Sequence, residues 1–318
     1  MALDVAVVVI AYNEERCIGQ CLDALLSQST SIVYEVIVVD DGSKDDTAEI
    51  VEQRQVHHPR LRLLSHATNR GRGAARITGQ DASDSPWIAF VDADIVVPHN
   101  WLQRCMEELS TASGVSGIAQ PDGDCAVIWR LSQATLRERP GSVEITGNNL
   151  LLSREVLNQV PFSPTARLGE DFRLAKLMKK NGVELRTIRD LKVEHRESKT
   201  YWQGISWMWK SGVDATSLLF EFRAVRLPDI AWATWLVGLG AVVVSASLGA
   251  LDVGRAIALA VALTLIVDGS FIFSRFEPRP HPMRFLGALA LSPPLMLAYL
   301  GGRSVGLAIV PFRLRKPI

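Results

Sequence analysis

The first ninety residues repeat one pattern, a short and uninterrupted apolar run followed by a polar turn and an amphipathic segment. The apolar runs are Val5–Ile10, Glu35–Val39, Leu61–Leu64 and Ile88–Val91. A strand that is apolar along its whole length is covered on both faces, which is typical of parallel sheets. Parallel neighbours need crossover helices, so the pattern predicts an α/β fold with a mostly parallel, doubly wound sheet.

Two carboxylates, Asp92 and Asp94, follow the fourth apolar run directly. Alternate residues of a strand point to the same side, so both carboxylates are expected at the carboxyl edge of the sheet. Open α/β sheets bind ligands in the crevice outside that edge. Two hard oxygen ligands there suit Mg²⁺ or Mn²⁺ bound together with a diphosphate. The alternative is an acidic turn that only caps the next helix.

Charge and cysteine usage exclude several classes of protein. The 34 basic and 34 acidic residues balance, so no overall field attracts nucleic acid, and no nucleic-acid partner is expected. The run Val5–Ile10 is too short for the core of a secretory signal, and none is expected. Cys17 and Cys21 are one helical turn apart, and the four cysteines form no CxxC pair. Cys17 and Cys21 are expected to line a helix face rather than bind a metal, and all four cysteines are expected to be reduced thiols.

The last third of the chain is far more apolar than the rest. Three segments are long enough to cross a bilayer, with a short extension after the third. They are Ile230–Leu251, Ala256–Ser274 and Phe285–Gly302, with the extension Ser304–Phe312. The sequence therefore predicts a catalytic domain over 1–200, an interfacial region over 201–228 and a transmembrane domain over 229–318. Whether it has three or four helices is left open.

Arginines flank the predicted spans and set their expected orientation. Arg223 and Arg226 precede the first span, and Arg275, Arg279 and Arg284 separate the second from the third. The positive-inside rule places the catalytic domain in the cytoplasm, as part of a multi-pass plasma-membrane protein.

Other features of this region leave alternatives open. The chain ends with basic residues at 313–316 (RLRK). A break in the third predicted span, at Pro293–Pro294 or Gly301–Gly302, would return this basic tail to the cytoplasm. The tryptophan-rich stretch 201–222 predicts a helix lying in the membrane interface, or else an ordinary buried amphipathic helix. Asp268, inside the second span, is expected to pair with Arg275 or to snorkel to the interface.

Five motifs occur in a definite order along the first two hundred residues. They are 8–14 (VVIAYNE), 38–43 (VVDDGS), 69–76 (NRGRGAAR), 91–94 (VDAD) and 169–171 (GED). Together they resemble the family 2 glycosyltransferases, over roughly residues 4–200. The resemblance implies an inverting enzyme with the GT-A fold, a doubly wound mixed sheet with a Rossmann-like nucleotide half. It implies a hexosyltransferase-type enzyme with a UDP- or GDP-linked donor and a divalent Mg²⁺ or Mn²⁺ cofactor.

The resemblance also suggests roles for single residues. Asp171 is the expected general base, with Glu170 orienting it or the acceptor. The metal is expected on Asp94 and Asp92, with His195 as a possible further ligand. The expected donor-binding residues are Ile10, Tyr12, Glu14, Val39, Asp41, Arg76, Asp92, Ala93, Asp94 and Asn149. Arg72 is a second arginine that could neutralise the diphosphate, although a solvated role is nearly as good an interpretation.

The acceptor stays open between two classes. One is a hydroxyl of a lipid-linked or cell-surface glycan, as in polysaccharide biosynthesis, and it needs a base such as Asp171. The other is a polyprenyl phosphate, as in relatives of dolichyl-phosphate sugar synthases, which is already nucleophilic. The GED motif favours the hydroxyl. A nucleotidyltransferase is disfavoured because the turn after the first strand is acidic, and a processive synthase because no QxxRW element follows residue 195.

Overall fold

The computed structural model describes residues 3–110, 112–122, 147–165, 169–196, 200–222, 227–275 and 292–313. The chain divides into two compact units. The first holds the described residues up to 196, and the second holds those from 200 onward.

The first unit is built on an eight-stranded mixed sheet with the order β3-β2-β1-β4-β7-β6-β8-β5. Strands β1 to β4 run parallel to one another, whereas β7 runs antiparallel to both of its neighbours, β4 and β6. This arrangement confirms the predicted α/β class and the mixed sheet. The strands are β1 Val5–Ala11, β2 Tyr34–Asp40, β3 Leu61–Ser65, β4 Trp87–Asp92, β5 Ile95–Val96, β6 Gly114–Asp122, β7 Asn149–Ser153 and β8 Arg186–Arg196.

Helices cover both faces of this sheet, which explains why β1 and β2 are buried along their whole length. A glycine lets the helix Arg72–Asp81 pack closely on β1, because a Cβ on Gly79 would lie 2.2 Å from Val8 Cγ1. The helices of the first unit are α1 Ile18–Leu26, α2 Thr47–Gln55, α3 Arg72–Asp81, α4 Trp101–Glu107, α5 Arg154–Gln159 and α6 Glu170–Lys180, with a 3₁₀ turn Glu108–Ser110.

The middle of the sheet differs from the sequence-based expectation. The sequence has two segments, 183–188 and 191–195, that predict two strands, but one strand, β8, covers residues 186–196. Its pairing with β6 shifts register between Ser116 and Ile118. Strand β6 is not evident in the sequence, because Gly114, Gly117 and Pro121 interrupt its apolar run. Backbone pairing with β7 and β8 overrides that weak local pattern.

The second unit contains four long helices, α7 Tyr201–Phe222, α8 Leu227–Ser247, α9 Val253–Arg275 and α10 Pro293–Arg313. Helix α10 begins at Pro293, a residue favoured at the first helical position, and continues through Gly301 and Gly302. The suggested break at Gly301–Gly302 is therefore wrong. They serve close packing instead, since a Cβ on Gly302 would lie 2.1 Å from the carbonyl oxygen of Trp209 on α7.

Among the described residues, one helix, over 229–247, is both long and apolar enough to cross a membrane. The expected three or four spans are thus not confirmed. The expected flanking residues Arg223, Arg226, Arg279 and Arg284, and the segment 285–291, lie outside the described part of the chain. Asp268 is fully buried and accepts a hydrogen bond from Ser292 Oγ, which argues against snorkelling, whereas its expected pairing with Arg275 stays a prediction.

Helix α7 has features of both interpretations offered for the tryptophan-rich stretch. Met208 and Leu218 are buried in the second unit, as in an ordinary amphipathic helix. Trp202 and Phe220 are exposed at 76% and 41%. An exposed tryptophan on a packed helix is compatible with an interfacial position, which stays a prediction.

Candidate active site

The two aspartates of the 91–94 motif lie where β4 ends, and each has a different partner. Asp92 Oδ1 accepts a hydrogen bond from Arg76 Nη2 at 2.9 Å, and its Oδ2 lies 3.8 Å from Arg72 Nη1. Asp94 Oδ2 lies 2.9 Å from His195 Nε2. Because Asp94 and His195 are both almost fully buried, this pair is held in a fixed position.

The donor set at this edge fits a divalent cation that also binds phosphate. Within the described ranges, no group of three or more His, Cys, Asp or Glu side chains could hold a metal by itself. Mg²⁺ typically takes only one or two carboxylates and completes its shell with water and substrate phosphates. Asp94 and His195 lie 2.9 Å apart, and both carry donor atoms of kinds that bind Mg²⁺ or Mn²⁺.

Arg72 and Arg76, both at the start of α3, have different environments. Arg76 is 1% exposed and also donates to the Gly147 carbonyl oxygen at 2.6 Å and to Glu170 Oε1 at 3.3 Å. The Arg72 side chain is 43% exposed. Burial lowers the pKa of Arg72, but Asp92 and Glu170 outweigh it and raise the pKa, so Arg72 stays charged.

Glu170 and Asp171 begin helix α6, where the helix dipole favours negative charge. Gly169 precedes them with φ 69°, a left-handed conformation that glycine adopts without strain. Burial, and then the charge of Glu170, raise the pKa of Asp171 to about 6, although the Phe172 N–H opposes this. A carboxylate with such a pKa is a better base than an ordinary aspartate while still being ionised at neutral pH.

Asp41 is buried, and its carboxylate organises the turn before α3. It accepts hydrogen bonds from the backbone N–H groups of Arg70 and Gly71 at 2.9 and 2.8 Å. His66 Nδ1 lies 2.6 Å from Asp41 Oδ1, and His66 Nε2 lies 2.9 Å from Thr78 Oγ1. Sequence reasoning missed His66 because it belongs to none of the five motifs. The expected donor-binding role of Asp41 stays a prediction.

The turns after β1 and β2 are joined by hydrogen bonds along the crevice edge. Asn13, at φ 57°, accepts from the Lys44 N–H at 2.8 Å and donates its own N–H to Ser43 Oγ at 2.9 Å. The N–H of Glu14 donates to Thr47 Oγ1 at 2.8 Å. Tyr12 is 44% exposed beside these turns, so its ring is available for a ligand.

The other expected donor residues lie in the sheet itself. Ile10 and Val39 are buried, and the Ala93 N–H donates to the Ile10 carbonyl oxygen at 3.1 Å. Asn149 is 1% exposed; its Oδ1 accepts from Trp101 Nε1 at 2.8 Å, and its Nδ2 donates to the Leu191 carbonyl oxygen at 3.3 Å. These contacts favour a structural role for Asn149 over the expected sugar-binding one.

The fold is a GT-A-like mixed sheet with the acidic groups of the candidate site at its carboxyl edge. Residues 6–165, about half of the chain, match the family described as Glycosyl transferase family 2. The chain belongs to this family and is a glycosyltransferase.

Curated relatives match over about a third of their own length. The chain is 38% identical over 107 residues to the glycosyltransferase AglE of Haloferax volcanii, covering 33% of this chain and 35% of that protein. It is 44% identical over 94 residues to the dolichyl-phosphate beta-glucosyltransferase ALG5C of Trichomonas vaginalis, covering 27% and 28%.

Solved structures support the fold over nearly the whole chain. The mannosyltransferase PcManGT from Pyrobaculum calidifontis, solved with GDP-Man and Mn²⁺, superposes with a TM-score of 0.63 at 21% identity, over 97% of this chain and 88% of that one. TarS from S. aureus, solved with UDP-GlcNAc, gives a TM-score of 0.51 at 17% identity, over 96% and 92%.

Proposed function

We propose that this glycosyltransferase inverts the anomeric centre of a nucleotide-diphosphate sugar and transfers the sugar to a hydroxyl group held at the cytoplasmic face of the plasma membrane. The observation that carries the choice of acceptor is Asp171, a carboxylate at the start of α6 whose pKa is raised to about 6. A hydroxyl acceptor requires such a base, whereas a phosphate acceptor does not.

The proposed reaction gives each of the two acidic motifs a role. Asp171 takes the proton of the acceptor hydroxyl while that oxygen forms a bond to the anomeric carbon. The bond from the anomeric carbon to the nucleoside diphosphate breaks, and the diphosphate leaves with the electron pair. Attack on the face opposite the leaving group inverts the configuration. Glu170 helps to orient Asp171, and Tyr12, Glu14 and Asp41 bind the nucleoside.

Asp94 and Asp92, with His195, would hold the divalent Mg²⁺ or Mn²⁺ ion. When bound, the ion offsets the negative charge that develops on the leaving diphosphate. The donor in the PcManGT structure is GDP-Man with Mn²⁺, and in the TarS structure it is UDP-GlcNAc. These relatives support a GDP- or UDP-linked hexose as the donor.

The second unit would anchor the enzyme in the bilayer. Support comes from helix 229–247 and from the apolar side chains that α9 leaves exposed, such as Val253, Ile257 and Ile266. We propose a multi-pass membrane domain over 229–318, an interfacial region over 201–228 and a catalytic domain over 1–200 that acts on a membrane lipid or a lipid-linked glycan.

A polyprenyl phosphate acceptor is the second candidate, favoured by the dolichyl-phosphate beta-glucosyltransferase among the relatives.

To separate the two acceptors, membranes containing the enzyme are incubated with a panel of radiolabelled nucleotide sugars, and the butanol-extractable product is treated with mild acid. Label that stays on the lipid, or that mild acid releases as an oligosaccharide, and that disappears in Asp171→Asn supports the hydroxyl acceptor. Label that mild acid releases as the free monosaccharide, from a product still formed by Asp171→Asn, supports the phosphate acceptor, and no transfer from any donor would contradict both.

A further inference from the structure

Arg76 joins three parts of the active site through a single buried guanidinium group. It bonds Asp92 at the end of β4, Glu170 at the start of α6 and the carbonyl oxygen of Gly147 before β7. The side chains of Asp92 and Glu170 are only 13% and 3% exposed. Charge-assisted hydrogen bonds in such a buried setting are strong and directional.

The surroundings of Arg76 hold the guanidinium group in this position. Its Cζ lies 5.7 Å from the ring centroid of Phe90 and 5.7 Å from that of Phe162. A Cβ on Gly147 would lie 2.8 Å from Arg76 Nη2, so glycine at this position leaves the space the guanidinium occupies. With 1% of its surface exposed, Arg76 offers almost nothing to a ligand in the crevice.

We infer that Arg76 is a positioning residue that fixes the donor-side carboxylate Asp92 relative to the acceptor-side pair Glu170 and Asp171, and that Arg72 is the arginine that contacts the donor diphosphate. This inference rests on the proposed glycosyl transfer. Arg72 suits the second role because it stays charged, is 43% exposed and lies 3.8 Å from Asp92. The expectation that Arg76 itself binds the diphosphate is thereby replaced.

A lysine at position 76 keeps the charge but cannot present the planar fork that reaches three acceptors. We therefore expect Arg76→Lys to lower kcat about a hundredfold, since small displacements of reacting groups have effects of that size. The dissociation constant of the nucleoside diphosphate should change by less than about threefold, because Asp94 and His195 would still hold the metal ion and Arg72 would still contact the diphosphate. Gly147→Ala, which displaces the guanidinium without changing any charge, should reproduce this pattern.

Calorimetry in the presence of Mn²⁺ measures the affinities of the detergent-solubilised full chain for UDP, UMP, GDP and GMP. The kcat of sugar transfer is measured on the same variants. The preference for diphosphate over monophosphate should survive in Arg76→Lys and Gly147→Ala and fall at least about tenfold in Arg72→Ala. Loss of the preference for diphosphate in Arg76→Lys would overturn the inference. A kcat of Arg76→Lys equal to that of wild type would overturn it too. If wild type binds none of the four nucleotides, the proposed function fails instead.

Discussion

The pH dependence of transfer tests the assignment of Asp171 most directly. The pKa of this carboxyl is raised from 3.8 to about 6. A base with a pKa of about 6 is about 9% ionised at pH 5 and almost fully ionised at pH 7.5, so kcat/KM should fall about tenfold between them. An aspartate with an ordinary pKa would give a change of only about 1.1-fold over the same interval.

Glu170→Gln separates Asp171 from other groups that titrate near pH 6, including the phosphate of a lipid acceptor. Because the charge of Glu170 is one cause of the raised pKa, its removal should move the acid limb of the profile to lower pH. Glu184→Gln, a matched substitution at an exposed position of the same unit, should leave the limb in place. The assay is initial-rate kcat/KM for the donor from pH 4.5 to 8.5, and a limb that does not move in Glu170→Gln would refute the reasoning.

The raised pKa of Asp171 affects stability in the opposite direction from activity: stability falls as the pH rises. The folded chain keeps the Asp171 proton to a higher pH than the unfolded chain does. The contribution of this group to the free energy of unfolding is therefore present below about pH 4 and lost as the pH rises to about 6. Asp171→Asn should accordingly be inactive with a hydroxyl acceptor yet slightly more heat-stable than wild type at pH 8.

Three further predictions concern metal, packing and thiols. Asp94→Ala should lower kcat at least about tenfold more than Asp92→Ala across a Mn²⁺ titration, because Arg76 already engages Asp92; equal losses would contradict this. Gly79→Ala should cost about 1–3 kcal/mol by overpacking the sheet, measured as a lower Tm, whereas Gly240→Ala, with nothing within 4 Å, should not. Burial, helped by Asp94 and Asp92, raises the pKa of Cys21, so iodoacetamide at pH 8 should label it only after unfolding.

The parallel half of the sheet could be predicted because each strand carries its own signal. Strands β1, β2 and β4 are short runs that are apolar along nearly their whole length, rich in β-branched residues and followed by polar turns, which together indicate buried strands. Strand β6 carries Gly, Ser and Pro, and its identity depends on pairing partners more than thirty residues away. Such non-local pairing leaves no periodic pattern to detect.

The location of the candidate site could be predicted from the sequence. The contacts that each side chain makes there could be predicted less well. The five motifs place the acidic groups at one edge of the sheet, where the structure has them. Arg76 and Arg72 lie on the same helix start, and only burial distinguishes one from the other. Likewise an asparagine that binds a sugar and one that binds Trp101, as Asn149 does, look identical in a sequence.

The hydrogen bonds between the turns after β1 and β2 constrain how this enzyme can change its donor. Because Asn13 bonds Ser43 and Lys44, and Glu14 bonds Thr47, a substitution in one turn alters the backbone of the other. In the proposed function the nucleoside binds at this edge, where the turns would already be formed, so little conformational entropy would be lost on binding. A change of nucleobase preference should accordingly require paired substitutions, one in each turn, and rarely be reached through single exchanges.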